Sequence, residues 1–241
     1  MDLPPLKAHL GKLFTATPRL RPKWDALITM GAFAGWYVSF HSRSSFIALS
    51  CSSDPSSCHP ESINQVDRWG LVNDYHWLAD HLSFWTQDGA GVFAVVCIVL
   101  LSLNRRVLWT QIVLLIQATF INGLFNETLR LIVQRPRPFV YLNPIGQGGA
   151  VDHYTSFYSG HTSFAALAST CAVISALNAR PALRWSVLSL GVLLTSLTGA
   201  FRVIAGRHFI TDVVFGALAG AAIALAVNGL HRESTDAEPT P

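Results

Sequence analysis

The sequence has little charge for its length. Only 13% of its 241 residues are Asp, Glu, Lys or Arg, whereas a soluble domain carries roughly 25%. A water-soluble globule of this size would need more charge to cover its surface, so the composition argues against that class. What is present instead is apolar: 51% of the residues are hydrophobic and the mean hydropathy is +0.37. Apolar windows at 92–103, 112–125 and 213–227 indicate a lipid bilayer as the main solvent.

Lysine is even scarcer than charge as a whole. Of the 17 basic residues, three are Lys and fourteen are Arg. Because the guanidinium group matches phosphate and carboxylate better than an ammonium does, this bias favours an anionic ligand. Nucleic acid is not expected, since no basic run lies outside the apolar segments. A signal peptide is not expected either, because residues 1–23 are polar and basic and contain no apolar core.

Six apolar segments predict an all-α, polytopic membrane protein, a bundle of six transmembrane helices with a short external interfacial helix. The spans are expected at 24–42, 86–103, 107–127, 162–178, 185–204 and 209–229. They form one domain, 24–230, between a cytoplasmic segment at 1–23 and a disordered cytoplasmic tail at 231–241. The interfacial helix is expected at 75–85, the end of a long external connection over 43–85, with its aromatic side chains facing lipid.

The basic residues divide unevenly between the two ends of this bundle. Ten fall on one side, which the positive-inside rule assigns to the cytoplasm together with both termini: Lys7, Lys12, Arg19, Arg21, Lys23, Arg105, Arg106, Arg180, Arg184 and Arg232. The other side receives Arg43, Arg68, Arg130, Arg135, Arg137, Arg202 and Arg207. The last five of these are expected to form a site or its rim, because a structural protein should be poor in arginine there.

The four cysteines are expected to form two groups. Cys51 and Cys58 lie in the external connection and are either disulfide-bonded, as an oxidising compartment allows, or two free thiols. Cys97 and Cys171 lie inside apolar spans and are expected to be small core residues.

The first block of residues with chemical potential ends the third span. It reads RLIVQRPRP from Arg130 to Pro138. Arg130 and Arg137 are seven residues apart, near two helical turns, and are placed to share a helical face. The two prolines are expected to stop the helix and to hold Arg137 in a rigid turn.

Two further blocks lie at the external ends of later spans. Ser159, Gly160 and His161 stand directly before the fourth span, where free backbone N–H groups of a helix N-terminus face the loop. In the third block, His208 and Asp212 are four residues apart and are expected on one helical face, after Arg202.

Together the three blocks resemble the signature of the type 2 phosphatidic acid phosphatase superfamily. The motifs of that family run Lys-x6-Arg-Pro, Pro-Ser-Gly-His and Ser-Arg-x5-His-x3-Asp. Three positions depart from them: Arg130 replaces lysine, Tyr158 replaces proline and Phe201 replaces serine. The resemblance implies an integral membrane lipid phosphate phosphatase, and arginine at position 130 keeps the charge for phosphate contact.

The same residues suffice for phosphoryl transfer. Neutral His208 attacks phosphorus through one ring nitrogen while the other donates a hydrogen bond to Asp212. His161 protonates the leaving oxygen and later activates water. The residues expected to bind the phosphate are Arg130, Arg137, Ser159, Gly160 and Arg202. No metal and no other cofactor are expected, because clustered arginines repel a cation.

Three neighbouring residues are expected to support this site. Arg135 and Arg207 match variable positions of the family and either bind lipid headgroups or anchor the interface. Glu127 is expected to pair with an arginine of the first block, because an acidic group near an apolar span needs a partner.

The expected function is hydrolysis of a lipid phosphomonoester or diphosphate through a phosphohistidine intermediate at the external face. The candidate substrates that the resemblance implies are phosphatidic acid, phosphatidylglycerol phosphate, undecaprenyl diphosphate and a lipid A phosphate. Two alternatives stay open, a lipid phosphotransferase with the same site and a non-catalytic lipid-binding or transport relative. The expected partners are the lipid phosphate and the bilayer, without nucleic acid. The expected location is the bacterial cytoplasmic (inner) membrane, with the site facing the periplasm or exterior.

Overall fold

The computed structural model describes residues 18–71 and 76–232, and the predictions for 1–17 and for the tail beyond 232 lie outside this part of the chain. In the described residues helices make up the regular structure, apart from one isolated β-bridge between Pro18 and Arg232. Six helices are long: α1 Pro22–His41, α2 Trp77–Leu101, α3 Arg105–Val133, α4 Gly160–Ala179, α5 Arg184–Ile204 and α6 Ile210–Leu230. The all-α prediction is confirmed.

Each predicted span corresponds to one of the long helices. Five of them, α2 to α6, are long and apolar enough to cross a membrane, which makes the chain an integral membrane protein. The helix α1 is similar in length but is not among the five. The predicted number of six spans therefore stays a prediction.

Short helical segments connect the long ones. They are Arg43–Phe46, Ser50–Ser53, Gln65–Arg68, Pro138–Leu142 and Pro144–Gln147, with 3-10 turns at Pro55–Ser57, Pro60–Ser62, Val151–Tyr154 and Pro181–Leu183. All except the last lie at the end of the bundle where α1, α3 and α5 end and α2, α4 and α6 begin. We call this the site end.

The prediction of a separate interfacial helix at 75–85 was wrong. From Trp77 the chain runs as one helix to Leu101, because no proline or glycine interrupts it before position 89. Trp77 and Trp85 are exposed, as expected of an aromatic face toward lipid. Residue 75 lies outside the described part.

The helix α4 occupies the centre of the bundle. It packs against α6, α2 and α5 and makes a smaller contact with α3, while α1 packs on α3. Its many alanines and serines allow close approach of neighbouring helices. At Gly220 of α6, a Cβ atom would lie 1.9 Å from the carbonyl oxygen of Ser163, so only glycine fits this crossing. Cys97 and Cys171 are buried in the core, as predicted.

The end of α3 shapes the site end. The helix stops at Val133, and Gln134 takes a left-handed conformation with φ 46°. The Gln134 side chain holds the turn by donating to the carbonyl of Phe46 and accepting from the N–H of Ala48. Arg137 therefore lies beyond the helix, and the prediction that it shares a helical face with Arg130 was wrong. The reason is Pro136, which disfavours helical backbone at the residue before it.

Candidate active site

Two histidines lie at the site end where α4 and α6 begin. His161 is the second residue of α4, and its ring packs edge-on against Phe84 with the centroids 4.4 Å apart. His208 lies in the turn between α5 and α6 and is completely buried. The Nε2 atoms of both rings are buried and have no hydrogen-bond partner within 18–71 and 76–232. Each ring therefore has an open nitrogen at the site end, and the two rings are close enough to interact electrostatically.

Three arginines surround His208, and each comes from a different element. Arg130 lies on the last turn of α3, Arg137 in the turn after it, and Arg202 on the last turn of α5. Burial, and then the charges of Arg137, Arg202 and Arg130, hold the pKa of His208 well below its ordinary value. At neutral pH the imidazole is therefore uncharged, as a nitrogen nucleophile must be.

The tautomer of His208 follows from its hydrogen bond. Its Nδ1 lies 2.7 Å from the carbonyl oxygen of Ser156. Because a carbonyl only accepts, Nδ1 carries the hydrogen and Nε2 keeps its lone pair. The predicted hydrogen bond to Asp212 is not formed, since Nδ1 and Oδ2 are 3.9 Å apart. His208 precedes α6, so the geometry of residues four apart on a helix does not apply.

Asp212 organises the segment around His208. Its Oδ2 accepts from Ser156 Oγ at 2.6 Å and from the N–H of Phe209 at 3.0 Å. Its Oδ1 accepts from Arg135 at 2.6 Å. Asp212 thus contacts the residue whose carbonyl fixes the imidazole, rather than the imidazole itself.

The start of α4 lies beside Arg130. A Cβ atom on Gly160 would lie 3.2 Å from Nη2 of Arg130, so glycine lets the guanidinium approach the first turn. Ser159 caps the helix and shares a hydrogen bond with the hydroxyl of Thr162 at 2.9 Å. Its N–H donates to the carbonyl of Asp212 at 3.1 Å. Of the two predicted ligands Ser159 and Gly160, the first is already engaged in capping.

Glu127 holds Arg130 in place, as predicted. Its Oε1 accepts from Nη1 of Arg130 at 2.7 Å. It also forms a two-pronged pair with Arg43, through Nε at 2.7 Å and Nη2 at 2.6 Å, and Arg43 extends to Asp152 at 2.7 Å. Sequence reasoning missed Arg43, because nothing local connects positions 43 and 127.

Arg202 and Arg137 are also held in place by other protein groups. Arg202 donates from Nη1 to Asp80 Oδ1 at 2.5 Å. Arg137 donates to the carbonyls of Asp152 and Arg207 and to the hydroxyl of Thr155. The buried Nε atoms of Arg130 and Arg202 have no hydrogen-bond partner in the described chain. We call Arg130, Arg137 and Arg202 the arginine cradle.

Arg135 and Arg207 form ion pairs within the protein, whereas the sequence suggested that they bind lipid headgroups or anchor the interface. Arg135 forms ion pairs with Asp67 and Asp212, and Arg207 pairs with Asp80 at 2.9 Å. An acidic residue at the edge of an apolar span needs a partner. The sequence therefore indicates that Asp80 is paired. The partners of Asp80, more than 100 positions away, are not readable from the sequence.

The external connection contains a disulfide, which was one of the two alternatives that the sequence allowed for Cys51 and Cys58. Cys51 and Cys58 are bonded, with their Cα atoms 5.5 Å apart. Cys51 packs with Tyr154, whose hydroxyl accepts from the N–H of Cys51 at 3.0 Å. In residues 18–71 and 76–232, no three His, Cys, Asp or Glu side chains are grouped so that they could hold a metal ion.

The fold and the site define a class: an integral membrane protein that carries two imidazoles with buried Nε2 atoms and an arginine cradle at one end of a helical bundle. The chain belongs to the PAP2 superfamily, whose family model matches residues 109–236. This confirms the resemblance seen in the sequence. The match covers α3 to α6 and every predicted catalytic and phosphate-binding residue, but not α1 or α2.

A solved structure that is similar to this chain is the transmembrane PAP2-type phosphatidylglycerolphosphate phosphatase from Bacillus subtilis. The two are 20% identical, the similarity covers 84% of this chain and 94% of the other, and the TM-score is 0.49. No curated protein matches the chain.

Proposed function

We propose that the protein is a membrane lipid phosphatase that hydrolyses a phosphomonoester or diphosphate through a phosphohistidine at His208. The observation that carries this proposal is the state of the His208 ring. Its Nδ1 is tied to a carbonyl, and its Nε2 is buried, open and surrounded by the arginine cradle. A neutral imidazole next to fixed positive charge is suited to attack phosphorus.

The first step forms a bond between Nε2 of His208 and phosphorus and breaks the bond from phosphorus to the lipid oxygen. That oxygen takes a proton from His161, whose own Nε2 is open. A bound phosphate offsets the positive charge of the arginines, which favours the protonated form of His161 at this stage. In the second step His161 accepts a proton from water, the water oxygen bonds to phosphorus, and the bond to His208 breaks.

The cradle supplies the positive charge that this reaction needs. Arg130, Arg137 and Arg202 hold the phosphate oxygens, with the N–H of Gly160 at the first turn of α4. Each arginine is held by other protein groups, so the cradle is organised before the ligand arrives. Preorganised charge is usually the largest contribution to this kind of catalysis. Ser159 supports the cradle mainly as the cap of α4.

A lipid substrate fits the position of the site. The imidazoles lie at the ends of apolar helices, where a headgroup is in water and its chains stay in the bilayer. Phosphatidic acid, phosphatidylglycerol phosphate, undecaprenyl diphosphate and a lipid A phosphate all present the required group. By the positive-inside rule the site faces the periplasm or exterior of a bacterial cytoplasmic membrane, with both termini in the cytoplasm.

The reaction as proposed requires no metal. The arginines take the role that a metal ion has in other phosphatases. We expect activity to persist in EDTA and to be inhibited by vanadate. Dependence on added magnesium would contradict this part of the proposal.

Phosphate release from a panel of these four lipids tests the function. The purified protein in detergent is expected to release inorganic phosphate from at least one of them, and His208→Ala is expected to release none. The matched control is His59→Ala, which removes an exposed histidine of the external connection and should retain full activity. Labelled lipid product without free phosphate would identify a phosphotransferase. No turnover on any lipid, or equal turnover by His208→Ala, would contradict the proposed chemistry.

A further inference from the structure

Arg135 lies between two buried carboxylates behind the catalytic histidine. Its Nη2 is 2.8 Å from Asp67 Oδ2 and its Nη1 is 2.6 Å from Asp212 Oδ1. The guanidinium carbon lies 4.0 Å from the centre of the Phe209 ring. Asp67 and Asp212 are fully buried, and one guanidinium that bridges both offsets part of a negative charge that would be costly alone.

Asp67 is the fixed end of this arrangement. It lies on the short helix Gln65–Arg68 of the external connection, outside the family match. It accepts from the N–H and hydroxyl of Thr211 at 2.9 and 2.6 Å, and from Asn64 at 2.6 Å. Burial alone would raise the pKa of Asp67, but hydrogen bonds from Arg135 and Thr211 outweigh it and lower the pKa. The carboxylate therefore stays ionised at neutral pH.

Asp212 connects Arg135 to the histidine. Its second oxygen accepts from the hydroxyl of Ser156 and from the N–H of Phe209, the residue after His208. The carbonyl of the same Ser156 accepts from Nδ1 of His208. The chain of contacts thus reaches both the backbone next to His208 and the acceptor that sets its tautomer.

From this geometry we propose that Arg135 and Asp67 are positioning residues that aim Nε2 of His208, acting through Asp212 and Ser156. The inference rests on the proposed role of His208 as nucleophile. Loss of Arg135 leaves two buried carboxylates without their shared ionic partner, so the Asp212 side chain shifts and releases Ser156. The arginine cradle keeps its own partners, and phosphate binding is therefore preserved.

Orthovanadate and inorganic phosphate distinguish the orientation of Nε2 of His208 from anion binding by the arginine cradle. Vanadate accepts a fifth ligand and bonds to an aimed nitrogen, as an analogue of the transition state, whereas phosphate needs only the cradle. Isothermal titration of the purified full chain in detergent measures both affinities. In Arg135→Met we expect vanadate affinity to fall about 10- to 100-fold, the size of effect that a displaced catalytic group produces. Phosphate affinity should change less than about 3-fold.

Arg68→Met is the matched control. Arg68 lies next to Asp67, but among the described residues its guanidinium donates only to the carbonyls of Ile63 and Glu61. Both affinities should equal those of the wild type. Arg135→Lys keeps one charge but loses the two-pronged bridge, so it should recover only part of the lost vanadate affinity.

Asp67→Asn tests the inference if Arg135→Met does not fold. The asparagine keeps the size of the side chain and an oxygen for Thr211, and we expect a fall in vanadate affinity of about 3- to 10-fold. The double variant should lose no more vanadate affinity than Arg135→Met, because both substitutions act on one chain of contacts.

Wild-type vanadate affinity in Asp67→Asn, or an equal loss of vanadate and phosphate affinity, would overturn the inference. So would a wild type that binds vanadate no better than phosphate. A wild type that binds vanadate tightly but hydrolyses no lipid phosphate would instead refute the proposed function.

Discussion

His208 combines two opposite electrostatic demands. In the proposed reaction its nitrogen must be uncharged to attack phosphorus, yet the surrounding charges must attract an anion. The arginine cradle would meet both demands, because positive charge that attracts a phosphate also opposes protonation of the imidazole. The pH dependence of the reaction should therefore respond to the cradle.

Arg137→Gln should move the acid limb of the kcat/KM profile to higher pH. Arg137 is the largest charged contribution that lowers the pKa of His208 after burial, so its removal raises that pKa. More of the histidine is then protonated and inactive in mild acid, and we expect a shift of about one pH unit. Arg180→Gln, a change to an exposed residue at the other end of the bundle, should leave the profile of the same substrate unchanged. A profile that does not move in Arg137→Gln would contradict the electrostatic account.

The sequence predicts which residues lie at the site end better than it predicts their contacts. The two histidines and the three arginines of the cradle could be placed there because the motif spacings put them near the ends of predicted spans. The bond from His208 to Ser156 could not, since a backbone carbonyl has no signature in the sequence. The predicted hydrogen bond between Asp212 and the imidazole is not formed, because His208 lies before the start of α6 at Ile210 and not on the helix.

At the level of elements, the Glu127 side chain joins the end of α1 to the end of α3. It accepts from Arg43, next to α1, and from Arg130 on α3. Glu127→Gln leaves the buried Arg43 and the partly buried Arg130 without their shared carboxylate. We expect the free energy of unfolding to fall by about 3 to 5 kcal/mol and KM to rise, because Arg130 is no longer held.

Thermal unfolding in detergent and steady-state kinetics measure these two effects. Glu61→Gln provides the control, since its side chain is exposed in the external connection. If Glu127→Gln unfolds at the wild-type temperature and keeps its KM, the pair does not hold Arg130.

The disulfide fixes the number of free thiols in the protein. Cys51 is bonded to Cys58, while Cys97 and Cys171 are free and buried. Titration of the denatured, unreduced protein with a thiol reagent should therefore find two thiols, and titration after reduction should find four. Four thiols without reduction would mean that the external connection is not cross-linked.

The helices could be predicted because hydropathy is a local property. Each predicted span corresponds to a long helix. The helix ends beside Pro22 and Pro181 lie within two residues of the predicted ones, whereas α3 runs six residues past its predicted end before it stops near Pro136. The external connection could not be predicted in the same way. Its short helices depend on distant contacts, such as those of Gln134 with residues 46 and 48, and α2 begins earlier than expected because nothing in its sequence stops it.

For the whole molecule, the site depends on more of the chain than the family match covers. The matched residues 109–236 include the histidines and the cradle. Arg43, Asp67 and Asp80, which support the cradle and His208, all come before residue 109. Individual residues of the external connection and of α2 thus support the site.

The proposed orientation places the site end outside the cytoplasm. Ile145 is an exposed residue at the site end, and Arg106 is an exposed residue at the opposite end. In spheroplasts, a membrane-impermeant maleimide should label Ile145→Cys directly and Arg106→Cys only after permeabilisation. Unmodified protein is the control, because its cysteines are bonded or buried. The reverse pattern of labelling would invert the proposed topology.

The most direct test of the central claim is to trap the phosphorylated protein. Wild-type protein is mixed with phosphatidic acid labelled at phosphorus and quenched with alkali within one turnover, since a phosphohistidine is stable in base. The account predicts labelled protein, with the label on the peptide that contains His208 and none in His208→Ala. Labelled inorganic phosphate from wild type without labelled protein, or label that persists in His208→Ala, would contradict it.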